Sequence, residues 1–126
     1  VGTGNKSELL AGYFTKYGDG GVDLLPIGDL LKTEVWELAK ALGIPEKIVT
    51  KPPTAGLWPG QTDEGEMGIT YRDLDKILRA SEKGRRVRAG SATSDLRLVP
   101  AQVKKVHAML KKSEHKRELA AIFRVL

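Results

Sequence analysis

The opening stretch, Gly2-Thr3-Gly4-Asn5-Lys6-Ser7-Glu8, limits the possible folds more than any other part of the chain. Glycines on either side of a hydroxyl residue call for a tight turn, and Val1-Gly2-Thr3 reads as the tail of a buried strand feeding that turn. The turn opens a short helix with a carboxylate, Glu8, in its first turn. A helix start presents free backbone N–H groups and a partial positive charge, which suit phosphate oxygens. The chain then leaves through Phe14-Thr15-Lys16-Tyr17-Gly18-Asp19-Gly20-Gly21-Val22-Asp23, a glycine-rich loop edged with Lys and Asp. Glu8 is placed to hold a divalent cation that bridges phosphates, because Mg²⁺ usually takes one or two protein carboxylates and completes its shell with substrate oxygens. Asn5 and Glu8 also have the spacing of a capping box, a structural role for the same pair.

Hydrophobic spacing predicts a helix from Ser7 to about Tyr17, with Leu9, Leu10, Tyr13 and Phe14 inward. Gly12 inside it weakens it by about 1 kcal/mol relative to Ala, and a close backbone approach explains its presence. Asp23 to Ile27 is a brief extended run whose Pro26 marks an edge or strand end. A clear amphipathic helix follows, with Asp29 as N-cap, an inward stripe of Leu31, Val35, Leu38, Ala39 and Leu42, and Gly43 and Pro45 closing it. Lys32 lies in its first turn, where a cation opposes the helix dipole, so either a phosphate occupies the same place or the lysine is simply exposed. Pro45 to Thr50 reads as one more short helix, and Lys51-Pro52-Pro53-Thr54 as a stiff extended segment.

Residues 57–68 form an expected polar loop whose Asp63, Glu64 and Glu66 are either solvated or drawn to a cation. Tyr71 to Leu78 reads as a helix with Thr70 as N-cap and Leu74, Ile77 and Leu78 inward, leaving Asp73 and Asp75 for solvent or an arginine. From Ala80 to Thr93 the composition is that of a linker, and Pro100 opens a helix to about Lys112 with Val103, Val106 and Leu110 buried. His107 beside that stripe reads as a half-buried packing residue. His115-Lys116-Arg117 after the helix suits an anionic ligand, or is a solvated basic helix end. The two histidines lack the third ligand of a zinc site.

Composition adds exclusions. Within 126 residues there is no cysteine, so disulfides and thiolate metal sites are ruled out, and no run approaches the roughly 20 apolar residues of a membrane span. A net charge of +5, from 21 basic and 16 acidic side chains, favours anionic partners, which include nucleotides as well as nucleic acid. Arg85, Arg86 and Arg88 have no interleaved aromatic for base stacking, which weakens an RNA-binding reading.

Four blocks in order, GTGNKSE, GYFTKYGDGGVDLLPIGDLLKTEV, KPPTAGLWPGQTDEGEMGITYRDLD and EHKR, resemble the C-terminal half of bacterial-type NAD⁺ synthetases. The resemblance implies an α/β fold, Rossmann-like and of the adenine-nucleotide alpha-hydrolase (ATP-pyrophosphatase) type, present here as a C-terminal fragment of one synthetase domain. It further implies a cytoplasmic homodimer that uses ATP and Mg²⁺ to adenylate deamido-NAD⁺, which ammonia, direct or from a glutaminase domain, converts to NAD⁺. Carried over by position, Thr3, Lys32 and Thr54 correspond to ATP contacts and Glu8 to the Mg²⁺ ligand. Lys16, Asp23, His115 and Lys116 correspond to deamido-NAD⁺ contacts. No side-chain nucleophile or general base is implied, so the expected roles are electrostatic and positional. The family's Ser-Gly-Gly-x-Asp-Ser loop is absent from these residues, so the fragment is expected to be inactive alone. The tail from Glu118 lacks the expected prolines and reads as helix. The rival readings are another ATP-pyrophosphatase amidating enzyme and a basic polyanion-binding module.

Overall fold

The computed structural model describes residues 1–82 and 99–119. The expected linker beyond Glu82, with Arg85, Arg86 and Arg88, and the tail beyond Leu119 lie outside the described residues. Among the described residues the elements are seven helices and no strand. The buried strand expected at Val1-Gly2-Thr3 is not formed: Val1 and Thr3 are exposed, and only the buried Gly2 is paired, its N–H donating to the Leu24 carbonyl at 2.8 Å.

The centre is α5, Tyr71–Glu82, longer than the spacing predicted by one turn. Thr70 caps it through its hydroxyl, which accepts the Asp73 N–H at 3.2 Å. Leu74, Ile77 and Leu78 are buried as expected, and against them pack α1 (Lys6–Ala11), α2 (Lys32–Ala41) and α6 (Pro100–Lys112). The core joins Ala11, Leu31, Met67 and Ile69 to Val103 and Val106 of α6. Each large side chain so enclosed stabilises the fold by about 1.5–3 kcal/mol.

Four expectations are corrected. First, α1 ends at Ala11, six residues before the expected end at Tyr17: Gly12 is its C-cap with φ 75°, a left-handed residue that stops the helix. The anticipated close approach is nonetheless present, since a Cβ on Gly12 would overlap Ser113. Second, Asp29 does not cap α2. Its exposed carboxylate pairs with Lys6 at 3.0 Å, and α2 begins two residues later than a cap at Asp29 would set, with Leu31 in the cap position. Of the predicted stripe only Leu31 is buried, while Leu38 and Leu42 are exposed among the described residues. Third, the polar loop contains a helix, α4 (Asp63–Met67), started by the Thr62 hydroxyl accepting the Gly65 N–H at 3.1 Å and ended by left-handed Gly68. Fourth, Asp75 is buried, and His107 is exposed. The short α3 (Glu46–Val49) appears where expected, with Pro45 just before it.

Ser113, at the junction of α6 and α7 (Glu114–Arg117), closes the chain onto itself by donating to the Leu10 carbonyl at 2.9 Å. Gly12→Ala combines a left-handed φ with a steric overlap at that junction, so it should destabilise the protein by about 2 kcal/mol, read as a lowered urea midpoint with unchanged slope.

Candidate functional site

Asn5 and Glu8 do form the capping box. The Asn5 side-chain oxygen accepts the Glu8 N–H at 3.1 Å, and Glu8 Oε2 accepts the Asn5 N–H at the same distance. That leaves Glu8 Oε1, which takes the Lys32 ammonium at 3.0 Å. Lys32 opens α2, so its side chain bridges back from one helix start to another. Its ammonium also lies 5.1 Å from the Tyr71 ring centroid, a cation–π contact, and Trp36 meets the same ring edge-on at 6.1 Å. Both ends of the ion pair are largely enclosed, with side chains 18% and 17% exposed.

This pair forms part of the wall of a cavity of about 540 Å³. Thr3 from the first turn and Thr54 from the Pro-Pro segment line the same cavity. The Asp63 N–H holds that segment by donating to the Pro53 carbonyl at 3.0 Å, and Thr54 Oγ1 accepts the Gly56 N–H at 3.0 Å. Four residues spread over three sequence blocks therefore face one space. A neighbouring cavity of about 580 Å³ shares Trp36, Val49, Lys51, Pro52 and Pro53 with it and adds Lys40 and Arg72.

Of the carboxylates in the 63–66 segment, Asp63 is buried, Glu64 is half-buried and Glu66 stays exposed. The Tyr71 hydroxyl donates to Asp63 Oδ2 at 3.0 Å and lies 3.5 Å from Glu8 Oε1; the Tyr71 N–H donates to Glu64 at 2.8 Å. Asp63 Oδ1 is buried without a hydrogen-bond partner among the described residues. Glu66 accepts from the Tyr13 hydroxyl and from the Gln61 amide. Burial, then the Glu8 and Asp63 carboxylates, push the Tyr71 hydroxyl far above its ordinary pKa, and burial with the Glu66 hydrogen bond does the same for Tyr13. Both phenols are thereby held protonated as donors. Sequence reasoning missed Tyr13 and Trp36 in this wall and the buried Tyr71 behind it, and left Asp63 only as a loop carboxylate. Tyr13 was counted only as an apolar face residue, and its spacing gave no sign of Glu66.

The second group of predicted residues gathers at the C-terminal end of α1. The Lys16 ammonium donates to the His115 carbonyl, and the His115 imidazole Nδ1 lies 3.0 Å from the Lys112 carbonyl. The Lys116 ammonium donates to the carbonyls of Gly12 at 2.7 Å and Phe14 at 2.6 Å, and sits 5.2 Å over the Phe14 ring. Arg117 donates to the carbonyls of Leu10 and Leu110 and to Ser113 Oγ. The basic triplet thus clasps the end of α1 and the start of the glycine-rich loop. Asp23 is exposed beside Leu24, whose pairing with Gly2 brings it near the Thr3 turn.

The NAD synthase family model matches residues 1–120. The chain belongs to this family. It is 56% identical over 125 residues to the NH(3)-dependent NAD(+) synthetase of Archaeoglobus fulgidus, covering 99% of this chain and 46% of that protein. To the enzyme of the same name from Carboxydothermus hydrogenoformans it is 56% identical over 122 residues, 97% of this chain and 44% of that protein. The solved structure of NMN synthetase from Francisella tularensis superposes with a TM-score of 0.78 at 41% identity, covering 98% of this chain and 46% of the other. The chain therefore spans about half the length of the NAD synthases it matches.

The Tyr13 hydrogen bond is the main reason that the Glu66 carboxyl lies below its ordinary pKa, with Gln61 second. A depressed carboxyl adds stability above its unfolded pKa and loses it as pH falls through the folded value. In Tyr13→Phe the Glu66 carboxyl should move back up toward its ordinary value, seen in an NMR titration of its side-chain carbon, and this acid-side loss should shrink.

Proposed function

We propose that the polypeptide carrying this chain is a ligase that amidates deamido-NAD⁺ to NAD⁺ at the expense of ATP. The carboxylate oxygen of the nicotinate attacks the α-phosphorus and pyrophosphate leaves. Ammonia nitrogen then attacks the acyl carbon, AMP leaves, and the nitrogen loses a proton. The observation that carries this reading is the convergence of Thr3, Glu8, Lys32 and Thr54 on one cavity of about 540 Å³. These are the residues that resemblance to the family assigns to ATP and metal. The relatives' names, NH(3)-dependent NAD(+) synthetase, support ammonia taken directly as the nitrogen source.

Lys32 is the cation for the polyphosphate, and Thr3 and Thr54 supply hydroxyls lining the same cavity. Positive charge held in an enclosed wall counts for more than the same charge in water, because the dielectric there is low. Among the described residues no group of three or more His, Cys, Asp or Glu is placed to hold a metal ion. Glu8 nonetheless fits Mg²⁺, which is satisfied by one protein carboxylate with ligand oxygens, since Oε1 faces a side-chain ammonium and not a backbone donor. When bound, the metal offsets negative charge on the phosphates. Lys16, Asp23, His115 and Lys116 form the deamido-NAD⁺ side, supported by the meeting of Lys16 with His115 and of Lys116 with Phe14 at the mouth of the glycine-rich loop. The complete fold is the Rossmann-like ATP-pyrophosphatase type, this chain being the C-terminal part of one synthetase domain, and the working form a cytoplasmic homodimer.

Isothermal titration into the full-length protein tests the reading. Deamido-NAD⁺ and Mg·ATP should both bind. Lys16→Ala with Asp23→Ala should weaken deamido-NAD⁺ by about tenfold or more and leave Mg·ATP unchanged, whereas Lys32→Met should do the reverse. Binding of Mg·ATP without deamido-NAD⁺ would assign the chemistry to another amidating enzyme of the ATP-pyrophosphatase class. Nicotinate mononucleotide, the shorter carboxylate, belongs in the same series because the solved relative is named NMN synthetase.

A further inference from the structure

Asp75 is a carboxylic acid in the interior, 2% exposed, and Ser7 beside it is fully enclosed. Neither lines the cavity that holds Glu8 and Lys32, although Ser7 stands beside Glu8 in the first sequence block and Asp75 closes the block that carries Thr54. Their hydrogen bonds are nevertheless aimed at Lys32. Ser7 Oγ donates to Asp75 Oδ1 and accepts the backbone N–H of Lys32 at 2.9 Å. Asp75 Oδ2 accepts the next N–H, that of Thr33, at 2.8 Å. Leu31, in the N-cap position of α2, has no side-chain acceptor for these two donors, so the first turn of α2 is capped from outside by α1 and α5.

We infer that Asp75, with Ser7, is a positioning residue for the Lys32 ammonium. Lys32 is the first residue of α2, and its backbone N–H is the group that Ser7 holds, so its Cα is fixed by the same link. Ser7 precedes Glu8 directly. One turn of α1 therefore grips the Lys32 backbone with Ser7 and its side chain with Glu8. Asp75 makes the arrangement single-valued: its first oxygen takes the Ser7 hydroxyl proton, which turns a lone pair of that hydroxyl toward Lys32, and its second oxygen fixes the angle of the helix start through Thr33. A hydroxyl without that acceptor rotates freely, and the helix start is then held at one point instead of two. The Lys32 ammonium must reach a phosphate oxygen at charge-assisted hydrogen-bond distance, so a buried brace of this kind bears on nucleotide affinity.

The proposal rests on Lys32 serving the nucleotide, and the experiment separates the two claims. In the full-length protein, Asp75→Asn and Ser7→Ala are each combined with Lys32→Met in a double-mutant cycle read by titration of Mg·ATP. The milder Ser7→Ala keeps the test open if Asp75→Asn folds poorly. Each single variant should raise the dissociation constant of Mg·ATP about tenfold and leave that of deamido-NAD⁺ unchanged; in the Lys32→Met background neither should add to the loss. Losses that simply multiply, or that fall equally on both ligands, would mean a role in general stability only and would overturn the inference. A nucleotide-free crystal structure of Ser7→Ala supplies an independent readout, in which the Lys32–Glu8 contact of 3.0 Å should be lost. Its persistence in that structure would sink the inference even if the titrations changed. Should the wild-type protein not bind Mg·ATP, the functional reading fails while the crystallographic result still decides the positioning claim.

Discussion

The start of α2 is the constraint on which the other pieces depend. A helix leaves its first N–H groups without intrahelical partners, and burying such a group unpaired costs about 1–3 kcal/mol. At Lys32 and Thr33 the local sequence offers no Ser, Thr, Asp or Asn in the cap position, only Leu31, which the core claims at 2% exposure. The donors are satisfied because α1 and α5 arrive carrying Ser7 and Asp75. Three helices far apart in sequence are thus fixed to one another by two side chains, and the placement of Leu31 in the core and of Lys32 at the cavity follows together.

The other end of α1 is held by the same logic with the polarity reversed. Its last carbonyls face the C-terminal segment, and Ser113, Lys116 and Arg117 supply the donors across more than a hundred residues of chain. Gly12 allows this by having no side chain where Ser113 sits. Cations at a helix C-terminus also oppose its partial negative charge favourably. A six-residue helix is too short to persist alone, so the local Asn5–Glu8 box at its start and the tertiary donors at its end account for its existence.

How much of this was legible depended on whether a residue's partner lay nearby in sequence. The apolar faces of α5 and α6, the Asn5–Glu8 box and the Thr70 cap were readable because their partners are three or four residues away. Asp75 reads from sequence as a residue for solvent or an arginine, since nothing within a few positions of it reveals Ser7 or Thr33. Asp29 looked like a cap by type and place, but the Lys6 ammonium and water compete for it and the helix start moved to a residue capped from elsewhere. The α2 stripe shows a further limit: periodicity identifies which side of a helix is apolar, not what covers it, and Leu38 and Leu42 remain exposed among the described residues. In the site, the residue types at Glu8 and Lys32 hinted at charge chemistry, whereas Tyr71, the buried ring and hydroxyl that join Lys32, Glu8 and Asp63, read only as the first residue of a helix.

The two readings of Glu8, cap or ligand, are not alternatives. A carboxylate has two oxygens, and the capping geometry fixes one of them against the Asn5 N–H. A group so fixed has lost its rotamer freedom before any ligand arrives, so the second oxygen points into the cavity wall without a further entropic penalty. The Lys32 ammonium now at that oxygen neutralises a charge that is only 17% exposed. In the proposed function a polyphosphate would offer the ammonium a stronger partner and leave Oε1 to a cation that travels with the phosphates. Structural capping therefore suits the residue to the ligand role proposed for it, and the same economy lets a six-residue helix line the cavity with a pre-fixed carboxylate.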